Sequence, residues 1–362
     1  MKEWRSPYNP FNSFKALVWR EWFEGFAKGD FLPPITVDTD PSNACNFNCI
    51  WCNSRKYRKE QPKILTTEHL LKLANFYKAW GATSTCIAGG GEPMMATGFT
   101  AFLEECCRLG IETGIITNGS LMTEVKQQVI ADTAKWIGFS MDAGTPETFA
   151  KVKGLGETGE DTFKKVIRNI SGLAGKNPNL DISYKYLAHP LNVEDIAEAA
   201  WVAREIGCKR FHLRPVGLDN LPMITQNQGA FKENHIRTLE EQMEKAQELE
   251  SETFEVYGIR HKFNPDLSRK VNFTKCWAAP LLTTFGADGN VHLCFDMRGN
   301  PDLILCTHEP EPENILKYWN TDYHRELLYR VDPKNCPRCT FGPYNEMVEQ
   351  VFMKDGMCRF FP

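Results

Sequence analysis

Cys45, Cys49 and Cys52 stand in a C-x-x-x-C-x-x-C spacing, with Trp51 directly before the last cysteine. Three thiolates this close can grip one face of a four-iron cluster and leave the fourth iron without a protein ligand. Soft thiolates suit zinc as well. A structural zinc site is closed by four ligands, however, so an open corner marks a place where something else binds. Four further cysteines pair in the last third. Cys276 and Cys294 flank two β-rich runs, residues 281–285 and 291–294, and Asp288-Gly289 between them is a hairpin signal. Cys336-Pro337-Arg338-Cys339 adds a C-x-x-C pair. Two and two make a complete four-thiolate site, for zinc or for an iron–sulfur cluster alike. Cys86, Cys106, Cys107, Cys208, Cys306 and Cys358 are left over, most of them reading as small core residues, with Cys306 and Cys358 structural residues or alternative ligands.

Other chemistry-bearing residues follow at intervals. Gly89-Gly90-Gly91-Glu92-Pro93 can bring backbone close to a ligand, or simply turn. Thr117-Asn118-Gly119 is a capped turn or a ligand loop. Strand alternation through Phe139-Ser140-Met141-Asp142 puts Ser140 and Asp142 on one face. The same alternation pairs Ser183 with Lys185, Tyr184 with Tyr186, and His212 with Arg214. A cation aimed into a core is costly unless it meets an anion, so Arg214 and Lys185 are candidate anchors for a carboxylate or members of salt bridges.

These residues must be positioned by a repeating frame. Strands are expected at 35–40, 84–88, 111–116, 136–141, 182–187 and 209–214, with helical patterns between them. One helix is opened by Thr66 or Thr67 and closed by Gly81, another is capped by Asn192 and stopped by Gly207, and a long polar one covers 232–250. Six strand–helix units in succession predict an α/β fold, a partial (β/α)6 TIM-like barrel of parallel strands. Every motif above then falls at the C-terminal strand ends, where such sheets do their chemistry. Residues 1–34 are expected to form an amphipathic helix and linker lying on the main domain, too short for a separate leader-peptide recognition domain. The barrel is placed at 35–253 and a small β-hairpin/helix auxiliary-cluster subdomain at 254–362.

The chain has 362 residues, a formal net charge of -4 and 13 cysteines. That balance gives no electrostatic reason to expect nucleic acid or an anionic membrane as partner. No apolar run approaches the roughly 18 residues of a membrane span, and no signal sequence opens the chain, so a cytoplasmic location is expected. An odd cysteine count in a chain this long argues for metal ligation rather than a disulfide scaffold.

The cysteine triplet with Trp51, followed by Gly90-Gly91-Glu92-Pro93, resembles the radical S-adenosylmethionine (radical SAM) family. The C-terminal pattern is similar to that family's twitch subdomain, the shortened form of SPASM. The resemblance implies that Cys45, Cys49 and Cys52 hold a [4Fe-4S] cluster whose open iron is chelated by SAM. It implies a second, auxiliary [4Fe-4S] cluster on Cys276, Cys294, Cys336 and Cys339. Trp51 would pack near the adenine, Glu92 and the glycine backbone would hold the SAM amine, and Asn118, Ser140 and Asp142 would line the SAM site. Lys153-Gly154 stands where the family often has an arginine-glycine pair. The implied reaction is reductive cleavage of SAM to a 5′-deoxyadenosyl radical that abstracts a substrate hydrogen atom. The net result would be oxidation, by dehydrogenation or crosslinking, of a small molecule or a ribosomal peptide. Partners would be that substrate and an electron donor such as flavodoxin or ferredoxin. Asp296, His212 and Tyr184 are candidates for proton handling. The contrasting reading is a cysteine-rich scaffold that binds zinc at both sites without catalysis.

Overall fold

The computed structural model describes residues 2–3, 13–216, 231–258, 273–334, 336, 339 and 341–353. Its frame is one eleven-stranded sheet in the order β1-β8-β7-β6-β5-β4-β3-β2-β9-β10-β11. The six expected strands are β2 (Thr36–Thr39), β3 (Ser84–Ile87), β4 (Glu112–Thr117), β5 (Ala134–Ser140), β6 (Asp181–Ala188) and β7 (Arg210–Pro215). Each pairs in parallel with the next. The crossover helices are α3 (Thr67–Trp80), α4 (Phe99–Arg108), α5 (Glu124–Thr133), α6 (Pro146–Lys153) with α7 (Gly159–Lys176), and α8 (Ile196–Glu205). Helix α3 shows how the sequence sets such an element. The Thr66 side chain accepts from His69 N, Gly81 closes the helix at φ 100°, and Leu70, Leu73, Ala74, Phe76 and Tyr77 are buried.

The alternation continues beyond its expected end. After α9 (Glu233–Gln247), β8 (Glu255–Gly258) adds to β7 in parallel, and β1 (Lys2–Glu3) adds to β8. The expected division at 253/254 falls just before this strand, within a sheet that runs on through both parts. Four residues carry too little periodicity to be read as a strand on their own.

The hairpin forms as expected, from β9 (Leu282–Phe285) and β10 (Asn290–His292) with Gly289 at φ 88°. It is not a separate layer. Strand β9 pairs in parallel with β2, Thr284 beside Asp38, so the C-terminal region continues the barrel wall. β11 (Ile304–Thr307) completes that edge, and α10 (Asp322–Arg330) and α11 (Gly342–Met347) follow. The N-terminal segment departs from its expected place. Ser13–Leu17 is a 3-10 turn, and α1 (Arg20–Lys28) buries Phe23 and Phe26. Phe23 packs on Tyr344 at 6.2 Å and Phe352 at 5.5 Å, so α1 sits on the C-terminal region.

Strand alternation sorts the two faces. Thr39, Tyr184 and Tyr186 face the helices, while Asp38, Cys86, Lys185 and His212 lie on the lumen side. Gly114 and Gly138 make room on the lumen side for the Trp136 ring and the Lys185 side chain. A Cβ at Gly114 would lie 2.1 Å from the Trp136 ring, and one at Gly138 would lie 2.0 Å from Lys185 Cε. Among the described residues no helix is long and apolar enough to cross a membrane.

Candidate active site

The loop after β2 carries Cys45, Cys49 and Cys52, and three neighbouring elements hold it. Asn48 N and Ile50 N donate to the carbonyls of Lys153 and Val152, the last residues of α6. Gly154 ends that helix at φ 64°, and a Cβ there would lie 2.4 Å from Asn48 O. On the other side, Gly91 N donates to Ser42 O at 2.9 Å and Glu92 N to Ala44 O at 2.8 Å. A Cβ on Gly91 would stand 2.0 Å from Ala44 O, so the glycine segment is required by its contact with the cysteine loop. Arg58, on α2 (Arg55–Glu60), closes the third side, its guanidinium 3.5 Å from Cys52 Sγ.

All three thiols are unpaired by disulfides, and burial raises the pKa of Cys45 and lifts Cys49 to about 11, each also feeling Cys52. Phe47 N lies 3.4 Å from Cys45 Sγ. Among the described residues no three His, Cys, Asp or Glu side chains close on one point as a single ion needs. A four-iron cluster instead asks each thiolate for a different iron, and three converging but separated sulfurs fit that demand.

Around this loop lies a polar knot. Glu92 is buried, which raises its pKa, and its carboxylate accepts from Thr117 Oγ1 at 2.6 Å, Asn118 N at 2.8 Å and Met94 N at 3.1 Å. Three of its roughly four lone-pair sites are thus spent inside the protein. Glu92 clamps the end of β4 to the glycine segment and keeps about one acceptor site unspent. Asn118 donates to Asn46 Oδ1 at 3.0 Å and accepts from Ser120, while Asn46 donates to Ser120 Oγ at 2.8 Å. Asn46 and Ser120 carried no motif of their own and became visible only in three dimensions.

Asp142 sits past the end of β5 at φ 58°, buried, so it leaves the strand alternation it shares with Ser140 in sequence. Its carboxylate takes Lys153 Nζ at 2.5 Å, Leu187 N at 2.8 Å and Trp51 Nε1 at 3.4 Å. Trp51 lies against the His189 ring at 5.4 Å. Lys153 is therefore paired inside the protein, on Asp142. Ser140, half-buried, stands in register with Lys185.

Deeper in the lumen is a group of ionisable residues that the motifs did not reveal. Asp40 is buried and pairs with Arg298, whose Nη2 reaches Asp40 Oδ1 at 2.9 Å. Asp38, also buried, is raised to about 7 by desolvation, with Arg298 opposing, and it hydrogen-bonds Cys86. The signal was the i, i+2 repeat of Asp38 and Asp40 in β2, and the guanidinium comes from the segment after the hairpin. Asp296 adds its negative charge near Asp38. Cys86 thus faces the lumen and Cys107 is exposed, whereas Cys106, Cys208 and Cys306 are buried as most of the leftover cysteines were expected to be, and Cys358 lies outside the described residues. Lys185 and Arg214 lie close enough for each charge to act on the other, and His212 stands in register with Lys185. Tyr184 is corrected as a proton-handling candidate. It is buried on the helix-facing side, its ring tilted against Phe211 at 6.0 Å, with its hydroxyl donating to Ala143 O at 2.5 Å.

Cys276, Cys294, Cys336 and Cys339 line one cavity with apolar neighbours including Leu282, Leu293 and Phe341. Burial lifts Cys276 to about 12 and Cys294 well above its ordinary value, and each feels Cys339. Asn345 lies 3.6 Å from Cys339 Sγ and accepts from Trp277 N and Ala278 N, which fixes the wall beside Cys276. Four half-buried cysteines around one largely apolar cavity carry the donor set of a four-thiolate cluster, while among the described residues no three of them close on one point as a single ion needs. Pro337 and Arg338 lie outside the described residues.

A partial parallel barrel with three thiols at the end of its first crossover strand is a recognisable class, and this chain belongs to the radical SAM superfamily, whose family model matches residues 39–219. That family uses a [4Fe-4S] cluster and SAM. The chain is 24% identical over 130 residues to a probable GTP 3′,8-cyclase of Pyrobaculum aerophilum, covering 36% of this chain and 41% of that protein's length. It is 23% identical over 197 residues to an S-adenosylmethionine-dependent nucleotide dehydratase of Selenomonas ruminantium, covering 52% of this chain and 70% of the relative. Among solved structures, Streptococcus suis SuiB bound to precursor peptide SuiA matches with a TM-score of 0.63 at 17% identity, over 88% of this chain and 71% of SuiB. That likeness is one of fold.

Proposed function

We propose that the chain cleaves SAM reductively at a [4Fe-4S] cluster on Cys45, Cys49 and Cys52 and uses the product to oxidise a polar small molecule held in the lumen. The carrying observation is the three-thiol loop locked between α6 and the glycine segment at the strand ends. When bound, the reduced cluster and SAM supply a 5′-deoxyadenosyl radical that removes a substrate hydrogen atom. The chain's own residues do the rest. Glu92 and the backbone around Gly90, Gly91 and Pro93 would offer acceptors for the SAM amine, with Asn118, Ser140 and Asp142 toward the ribose and carboxylate. Trp51, set by Asp142 and His189, walls the adenine side and keeps water from the radical. Asp38, Asp296 and His212 are the groups placed to take the proton that a two-electron oxidation releases. The four-thiolate site on Cys276, Cys294, Cys336 and Cys339 would hold an auxiliary [4Fe-4S] cluster as electron acceptor, and a flavodoxin- or ferredoxin-type protein would supply the first electron.

The small-molecule reading rests on the lumen itself, which is lined by Asp38, Asp40, Lys185, His212, Arg214 and Arg298. Such charges suit a compact polar substrate. A peptide is the second reading, supported by the SuiB likeness in fold. The test is anaerobic reconstitution with iron and sulfide, then dithionite and SAM. 5′-Deoxyadenosine should form in wild type and vanish in Cys45→Ala. Its absence from wild type, or its persistence in the variant, refutes the proposal.

A further inference from the structure

The four-cysteine cavity has a neighbour. A pocket of about 230 Å³ opens between the end of α1 and α10, and Cys276 belongs to the lining of both. Arg325 on α10 frames it. The guanidinium donates to Gly29 O at 2.8 Å and Asn320 Oδ1 at 2.9 Å, and pairs with Asp322 at 3.2 Å. Two other cations of the lining are not spent in this way. Lys275 directly precedes Cys276 and is exposed, its ammonium 4.0 Å from the centre of the Tyr329 ring and 5.9 Å from that of Trp277. Lys28, the last residue of α1, is exposed as well. Neither lysine has an ion-pair partner among the described residues, and the described lining includes no carboxylate. Tyr329 is 58% exposed.

We propose that this pocket is where an acidic one-electron carrier protein, of the flavodoxin or ferredoxin class, docks to collect the electron that substrate oxidation leaves at the four-cysteine site. The inference rests on that site holding a redox cluster, as proposed above. A two-electron oxidation delivers one substrate electron there in each turnover, so the site must lose one before the next. The oxidised carrier gains that electron, and no bond forms or breaks. Charge favours this place. The chain carries a net charge of -4, so an acidic partner is repelled at a distance unless positive charge gathers where it must land. Lys28 and Lys275 gather it beside Cys276, the wall shared with the cysteine cavity. The exposed Tyr329 ring adds the aromatic ground that interface centres favour. Lys56 and Lys59, exposed on α2, border the other cysteine loop instead, so the two cluster sites have separate basic surfaces.

The experiment uses the reconstituted full chain and a purified flavodoxin as probe. Calorimetry gives the affinity of oxidised flavodoxin for the holoprotein. Stopped-flow absorbance gives the transfer rate, as flavin semiquinone grows after mixing with reduced Cys45→Ala protein, which keeps only the four-cysteine site. Lys28→Glu with Lys275→Glu should weaken binding and slow transfer by about tenfold or more, and both should fall as salt rises. Lys56→Glu with Lys59→Glu changes the net charge equally and should leave both values near those of the unreversed protein. Equal values with and without the pocket reversals overturn the proposal. So does an equal loss from the α2 pair, or indifference to salt. Iron content and circular dichroism report whether each variant folds. Should the double reversal fail to fold, Lys28→Glu at the exposed helix end carries the same comparison. A four-cysteine site with no reducible cluster overturns the proposal together with the auxiliary role. Failure of SAM cleavage in wild type with flavodoxin transfer intact overturns the proposed function and spares the docking site.

Discussion

The buried pair Asp142–Lys153 offers a quantitative test of how the strand end is held. The two side chains are 4% and 2% exposed and meet at 2.5 Å. Replacing Lys153 by Met removes one charge and strands the other, a change worth about 3–5 kcal/mol at buried sites. Asp142 keeps its bonds from Leu187 N and Trp51 Nε1, which places the expected loss near the lower bound, about 3 kcal/mol. Asp142→Asn in the same background removes the stranded charge. Asn tolerates the left-handed backbone at this position and still accepts from Leu187 N. The double variant should therefore lose only about 1 kcal/mol, less than Lys153→Met alone. Anaerobic urea unfolding measures both, read as a shift of midpoint at constant slope. Iron content should stay constant, because the backbone carbonyls of Val152 and Lys153 keep their hold on the cysteine loop. Simple additivity of the two substitutions, or a loss under about 1 kcal/mol for Lys153→Met, would refute the reasoning.

Gly91→Ala should cut iron from about eight to about four atoms per chain, because its Cβ meets backbone 2.0 Å away and backbone cannot rotate aside. Full iron loading would contradict that. Cys276→Ala should likewise halve the iron while SAM cleavage without substrate persists. Roughly four iron plus one zinc in wild type would show the second site to be structural instead. Burial holds His324 at about 3 in the fold, against 6.5 when exposed, so the native state stays neutral while the unfolded chain gains a proton. Its contribution is present above pH 6.5 and lost on acidification toward the folded value. His324→Gln should flatten the acid limb of the stability curve by about 1.4 kcal/mol per pH unit below 6.5, and an unchanged slope would refute this.

Much of the architecture was legible because each barrel strand is followed by a helix with its own stop and start signals. The six strands at the barrel's heart emerge within a few residues of their expected bounds. Strand β8 escaped because four residues after a long polar helix carry no usable period. The attachment of β9 to β2 escaped because parallel pairing across more than 200 residues leaves no local trace. The cysteines were legible as candidate ligands through spacing, whereas Asp38, Asp40 and Arg298 meet only because the hairpin folds back onto β2. Tyr184 misled because alternation tells which residues share a face but not which face looks inward. Glu92 and Lys153 show a further limit, since a motif residue's charge can be wholly or largely engaged by neighbours that hold the loop in place.

Central to the proposed chemistry is an iron at the cysteine loop that the protein would leave unligated. Electron–nuclear double resonance on the reduced protein with SAM labelled by ¹⁵N at the amine tests it directly. A Cys276→Ala background isolates the relevant cluster. The account predicts a nitrogen coupling that depends on labelled SAM and disappears with Cys45→Ala. A reduced cluster whose spectrum ignores SAM altogether would contradict it.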